Sequence, residues 1–203
     1  MIFGGANTHI PPGYIDQVLE HFHRGDMLLL QNEISNVSYA IEQAKEKGLT
    51  VVFNPSPISS SITHYNLSKT DYFILNEVEG RKLAGTYTED AREILLELQK
   101  KYPNSVFVLT LGDKGSYYAD ETTVFYQEIF PSDVIDTTGA GDTFRGYFLA
   151  GIARGRSARE AMRYASLASS LSVSRPGASP SIPDEEEVCQ IMAQKEKELQ
   201  MVH

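Results

Sequence analysis

The sequence has a single cysteine, Cys189, among its 203 residues. A lone thiol forms no intramolecular disulfide and no cysteine-rich metal site, and its scarcity fits a reducing compartment, so a cytoplasmic location is expected. No run of about 18 apolar residues occurs, which leaves no candidate transmembrane helix. The opening residues, M-I-F-G-G-A-N, lack the charged and apolar regions of a signal peptide. Positive charge is also short: 18 lysines and arginines stand against 27 acidic residues, for a formal net charge of -9. That balance argues against non-specific nucleic-acid binding and against a polybasic membrane surface, so neither partner is expected. No G-x-x-x-x-G-K-[ST] string is present, which excludes a Walker-type phosphate loop. No internal repeat, low-complexity tract or linker stands out. The length allows one sizeable α/β core or at most two small domains, and one domain over residues 1–203 is the reading.

What is present alternates between strand and helix patterns. The spacing predicts a short helix over 14–23, then a buried strand over 27–30. Ser35 is expected to cap the next helix, whose apolar face is Val37, Ala40, Ile41 and Ala44 and which Gly48 ends. A strand over 50–53 runs into N-P-S-P, where two prolines forbid a helix. Strand, helix, strand in this order marks a right-handed parallel crossover. The pattern continues with a strand over 72–75, helices over 77–83 and 89–101, and a β-prone strand over 105–111. Gly112 to Gly115 then turn into short strands over 116–119 and 122–126, close enough to be antiparallel neighbours on a mixed edge. Ser157 can cap a helix through Leu171, Pro176 and Gly177 break the chain, and Asp184 caps a last, charged helix.

The most informative stretch is Asp136 to Phe144, D-T-T-G-A-G-D-T-F, after which apolar positions take up helical spacing. A glycine-rich turn thus feeds a helix N-terminus, where unpaired N–H groups and the positive helix end suit an anion such as phosphate. Asp142 sits at that positive end, where its carboxylate is expected to stay ionised and to accept a proton from a hydroxyl. A plain N-cap would account for Asp142 alone, but not for the whole string. In open α/β sheets ligands bind beyond the carboxyl ends of parallel strands. Glu33, Asn76, Glu79, Thr110 and Gly112 fall at such ends, although Glu77 and Glu79 also suit simple capping of a first helical turn.

The nine-residue string resembles, at every position, the C-terminal signature of the ribokinase family, the PfkB-type carbohydrate kinases. The resemblance covers nearly the whole chain. It implies a three-layer α/β/α fold with a mostly parallel sheet and an antiparallel edge. L-L-Q-N-E-I looks like the strand end where the family's acidic residue meets the sugar, which points to Glu33. N-P-S-P is similar to the family's N-P-A-P. N-E-V-E resembles N-x-x-E, and implies that Asn76 and Glu79 lie near the nucleotide phosphates and the water shell of magnesium. T-L-G-D-K-G resembles the nucleotide loop, with Thr110, Gly112 and Gly115, and Ser166 stands where the family often has Asn or His beside adenine. The signature itself implies an anion hole at Gly139, Ala140 and Gly141, with Asp142 as catalytic base and sugar contact. A monovalent cation, potassium, would lie among Asp136, Thr138, Ser172, Arg175, Gly177 and Ser181, largely through backbone carbonyls.

The implied activity is ATP-dependent phosphorylation of a sugar hydroxyl, ribose first, with magnesium and potassium as ions. The alternatives are a kinase for another sugar or a nucleoside, and a nucleotide-binding remnant without turnover. G-G-A-N resembles a segment about one third of the way along the family's chain. The family's N-terminal strands, lid and G-G-K-G-x-N-like sugar motif are therefore expected to be absent, leaving the C-terminal portion. Self-association and poor turnover are expected on that account.

Overall fold

The structure is a computed structural model that describes residues 4–201, with side chains through Glu198. These residues fall into two compact units, 4–112 with 117–125 and 113–116 with 126–201.

The first unit is built on crossovers. Strand β1 (Met27–Gln31) leads through α2 (Val37–Glu46) to β2 (Thr50–Asn54), and β3 (Tyr72–Asn76) leads through α3 (Glu77–Ala84) and α4 (Ala91–Lys101) to β4 (Val106–Thr110). All three pairings among these strands are parallel. β5 (Ser116–Ala119) and β6 (Val124–Gln127) complete a sheet whose spatial order follows the sequence, β1 to β6. Their connections are too short for a crossover, so these two run antiparallel to their neighbours and make the sheet mixed.

The central strands read as continuous apolar runs because both of their faces are covered. Val51, Val52, Phe53, Phe73, Ile74, Leu75, Phe107, Val108 and Leu109 are all buried. Phe73 stacks on Phe107 at 5.4 Å between ring centroids. Each such side chain contributes about 1.5–3 kcal/mol on burial. β1 differs. Among the described residues it pairs with β2 alone, and Leu29 remains 46% exposed although the strand is as apolar as its neighbours.

Three local expectations are corrected. The first helix, α1, spans Pro12–Leu19 instead of 14–23. Pro12 sits in its first turn, where a fixed φ and a missing N–H cost nothing, and Phe22 stays exposed with no face to bury. Ser35 does not cap α2; Asn36 takes the N-cap position in a left-handed conformation. The Ser35 hydroxyl instead accepts from Ile10 N at 2.9 Å and donates to Ile10 O at 3.0 Å. β6 begins at Val124 because Asp120 Oδ1 accepts from the Thr122 and Thr123 N–H groups at 2.9 and 2.8 Å, which holds these residues in a turn.

The second unit is helical: α5 (Ala140–Ala153), α6 (Ala158–Val173) and α7 (Glu185–Met201). Ala161, Ala165 and Ala168 are buried on α6, and a Cβ added to Gly151 would come within 3.1 Å of Ala161 Cβ. Small residues thus let α5 and α6 approach closely. Ser157 caps α6 in a reciprocal box with Glu160, and Asp184 accepts from Glu187 N at 2.8 Å. Among the described residues, no helix is long and apolar enough to cross a membrane.

Candidate active site

In the first unit the parallel register pairs Gln31 with Asn54 and Asn76 with Thr110, so the carboxyl ends of neighbouring strands align on one rim. Asn76 caps α3, accepting from Glu79 N at 2.9 Å, while Glu79 Oε2 accepts from Asn76 N at 3.0 Å. The capping alternative raised for Glu77 and Glu79 is therefore realised at Glu79, with Asn76 as the N-cap. It does not exhaust Glu79. The residue is buried, its Oε2 also meets Asn54 Nδ2 at 3.3 Å, and its Oε1 takes no hydrogen bond from the described residues. A carboxylate held by one oxygen with the other open fits a group that meets a hydrated magnesium ion through water. No cluster of three or more His, Cys, Asp or Glu residues able to hold a metal exists among the described residues. Such an ion would come with the nucleotide phosphates.

Asn54 was legible only as part of N-P-S-P, and no role was assigned to it. The structure buries it completely: it donates to Ile74 O at 2.8 Å and accepts from Gln31 Nε2 at 3.0 Å. It ties the ends of three strands to Glu79. Thr110 ends β4 with its hydroxyl 3.4 Å from Leu75 O, and Gly112 follows at φ 61°. Glu33 lies exposed just past β1, without a hydrogen bond among the described residues.

In the second unit Gly139 is the N-cap of α5 at φ 77°, a left-handed conformation that a Cβ strains, and such a Cβ would lie 3.4 Å from Ala178. Asp142 is thus the third helical residue and not the N-cap, which removes the plain capping explanation. Of the residues named for the anion hole, Ala140 donates its N–H to Thr137 O at 3.3 Å, whereas Gly139 N, Gly141 N and the neighbouring Asp142 N have no acceptor among the described residues, as expected for a first helical turn. The Asp142 side chain is 66% exposed and forms an ion pair with Arg145, a residue that sequence reasoning passed over. Its signal was present: a guanidinium three residues on along a helix shares the face of the carboxylate.

The residues named for a monovalent cation come together around Asp136. Its Oδ1 accepts from Thr138 N and its Oδ2 from Gly177 N, each at 2.9 Å. The Thr138 hydroxyl, the Thr138 N–H and the Gly177 N–H hold this carboxyl below its ordinary value of 3.8. Ser172 and Ser181 share a hydrogen bond at 2.9 Å, and Thr143 Oγ1 approaches Ser172 Oγ at 3.4 Å. Val173 O accepts from Ile135 N and Asp136 N at 2.8 and 3.1 Å, which pins the start of the signature to the end of α6. Arg175 turns its guanidinium to Glu187, so only its backbone is left to face a cation. The donor set is carboxylate, hydroxyl and carbonyl oxygen, which suits a hard alkali cation.

Two further residues have structural duties. Ser166 is buried and donates to Glu128 O at 2.9 Å. Gly115 is required by packing, since a Cβ would meet Gln127 O at 2.4 Å at a φ of 85°.

The sequence profile described as pfkB family carbohydrate kinase matches residues 17–185, well over half of the chain. The ribokinase of Lactococcus lactis is 34% identical over 190 residues, covering 93% of this chain and 61% of that protein. The deoxyribokinase of Salmonella typhi is 31% identical over 193 residues, covering 92% and 62%. Among solved structures, Arabidopsis thaliana ribokinase complexed with ribose and ATP superposes with a TM-score of 0.83 at 31% identity, covering 94% of this chain and 63% of that one. The chain thus spans about three fifths of the length of these relatives. It has a ribokinase-like α/β fold. The nine-residue signature, the strand order and the profile agree: the chain belongs to the pfkB family of carbohydrate kinases.

Proposed function

We propose that the protein takes part in ATP-dependent phosphorylation of a sugar hydroxyl. One observation carries this reading: a single helical turn presents N–H groups at Gly141 and Asp142 that lack an acceptor among the described residues, together with an exposed carboxylate on Asp142. On this reading the N–H groups and the helix dipole stabilise charge on a transferring phosphoryl group, and the carboxylate takes a proton. Asp142 removes the proton from the attacking hydroxyl as its oxygen bonds to the γ-phosphorus of ATP. The bond from that phosphorus to the β,γ-bridging oxygen breaks, and ADP leaves. Magnesium, bound with the nucleotide and met through water by Glu79, would neutralise phosphate charge. In the first unit we assign Glu33 to a sugar hydroxyl and Asn76, Thr110 and Gly112 to the nucleotide; in the second, we assign Gly115 and Ser166 to the nucleotide.

Ribose is the first acceptor to test, since the Arabidopsis relative was solved with ribose and ATP. The Salmonella relative, a deoxyribokinase, favours 2-deoxyribose as the second. Coupled ADP release with ribose, 2-deoxyribose, fructose and adenosine as acceptors separates these readings. Nucleotide binding with no acceptor-dependent ADP would leave a remnant without turnover.

Potassium is expected to strengthen ATP binding relative to sodium at equal ionic strength. A cation held at Asp136 and Thr138 fixes the backbone that leads into the glycine turn. The Asp136 carboxyl is lowered on folding, so its contribution is present above 3.8 and is lost as pH falls through the lower folded value. The potassium effect should therefore hold unchanged across neutral pH. Equal affinity in the two salts would remove the cation from the account.

The exposed edge at β1 carries a second expectation. An apolar strand with an unpaired side invites pairing with another chain. The 203-residue chain should self-associate with rising concentration, and Leu29→Lys should shift light scattering toward the monomer without altering secondary structure. Identical scattering from both proteins would show that association, if present, uses another surface.

A further inference from the structure

Asp142 and Arg145 lie one turn apart on α5, and Arg145 Nη2 donates to Asp142 Oδ1. Two features separate this contact from an ordinary surface ion pair. Only 19% of the Arg145 side chain is exposed, against 66% for Asp142, so the guanidinium is the seated partner and the carboxylate the free one. The other arm of the fork, Nη1, lies 3.8 Å from the position that a Cβ on Gly141 would take. The guanidinium therefore reaches from the carboxylate to Gly141, whose N–H, like that of Asp142, lacks an acceptor among the described residues. Arginine presents planar, paired donors that match two oxygens of a phosphoryl group, which a lysine or a lone helix end does not.

We propose that Arg145 is a further catalytic residue, which exchanges the Asp142 carboxylate for the γ-phosphoryl group of ATP. The proposal rests on the reading that this turn receives the transferring phosphoryl. Without nucleotide, the guanidinium holds the carboxylate. With ATP, its N–H groups turn to the γ-phosphoryl oxygens, and Asp142 is released to face the sugar hydroxyl. One cation thus serves twice: it occupies the base while no phosphoryl donor is present, and it stabilises charge on the phosphoryl group during transfer. ADP, which has no γ-phosphoryl group, does not trigger the exchange.

The test is a binding titration of wild type, Arg145→Gln and Arg145→Lys with ADP and with a non-hydrolysable ATP analogue, followed by turnover with ribose. Loss of a charge-assisted contact should weaken the analogue about 10- to 100-fold in Arg145→Gln. ADP affinity should not change. Arg145→Lys, which keeps the charge but loses the fork, should fall between, and kcat should drop in both variants while the ribose KM stays the same. Equal weakening of ADP and the analogue would show a structural role, and no weakening of either would show that Arg145 never leaves Asp142; each result overturns the proposal while leaving the kinase reading intact. A wild-type protein that binds neither nucleotide would overturn both.

Discussion

Asp142→Asn is expected to lower phosphoryl transfer by about 100- to 10,000-fold, the range lost with a general base. Affinity for ADP should be unchanged. The amide keeps the size of the carboxylate and an oxygen for Arg145, but it takes no proton from a hydroxyl. The fold gives little reason for any other effect. The N-cap of α5 is Gly139, Asp142 makes no capping hydrogen bond, and its partner among the described residues is Arg145, in an ion pair whose carboxylate side is 66% exposed. Such pairs contribute about 0.2–1 kcal/mol, so thermal unfolding should move little. Acceptor-dependent ADP release, measured beside a melting curve, checks both halves. Wild-type turnover in the variant would remove Asp142 as the base.

The glycine turn should divide folding from chemistry at two neighbouring positions. Gly141→Ala is expected to fold as well as the parent, because the nearest atom to the new Cβ is Arg145 Nη1 at 3.8 Å and the position is already helical. Alanine there favours the helix by about 1 kcal/mol over glycine. The methyl group nevertheless stands beside the N–H groups assigned to the phosphoryl oxygens. Transfer should fall by about 100- to 1,000-fold, comparable to loss of an oxyanion-hole donor. Gly139→Ala should behave the other way. Its φ of 77° costs a side-chain-bearing residue about 1–2 kcal/mol, and Ala178 crowds it further. Melting temperature should drop in Gly139→Ala and hold in Gly141→Ala. A Gly141→Ala variant that is both stable and fully active would place the anion hole elsewhere.

Much of this was legible in the sequence because two independent signals coincided. Uninterrupted apolar runs such as V-F-V-L-T marked strands covered on both faces, and capping residues such as Ser157 and Asp184 marked helix starts. The signature at Asp136–Phe144 combined a turn, a helix start and an acidic residue in one string. What stayed hidden depended on contacts between distant positions. Ser35 looks like an N-cap by type, but Ile10, 25 residues away, occupies its hydroxyl. Asn54 carries no local mark of its duty, which arises only when three strand ends meet at Glu79. Arg145 reads as one more surface cation until its side chain is seen to be mostly covered and to reach back over Gly141. The resemblance makes Gly115 a nucleotide-loop glycine, and its close approach to Gln127 O supplies a structural reason for the same residue.

On the proposed reading, this chain's glycine turn and Asp142 serve transfer of the γ-phosphoryl group of ATP to a sugar hydroxyl. The most direct measurement is phosphorus NMR of a mixture of the protein, magnesium, potassium, ATP and ribose, with Asp142→Asn in parallel. The account predicts a sugar phosphate resonance that grows together with ADP, requires ribose, and is lost in the variant. Growth of inorganic phosphate in place of a sugar phosphate, or a sugar phosphate formed equally by Asp142→Asn, would contradict it.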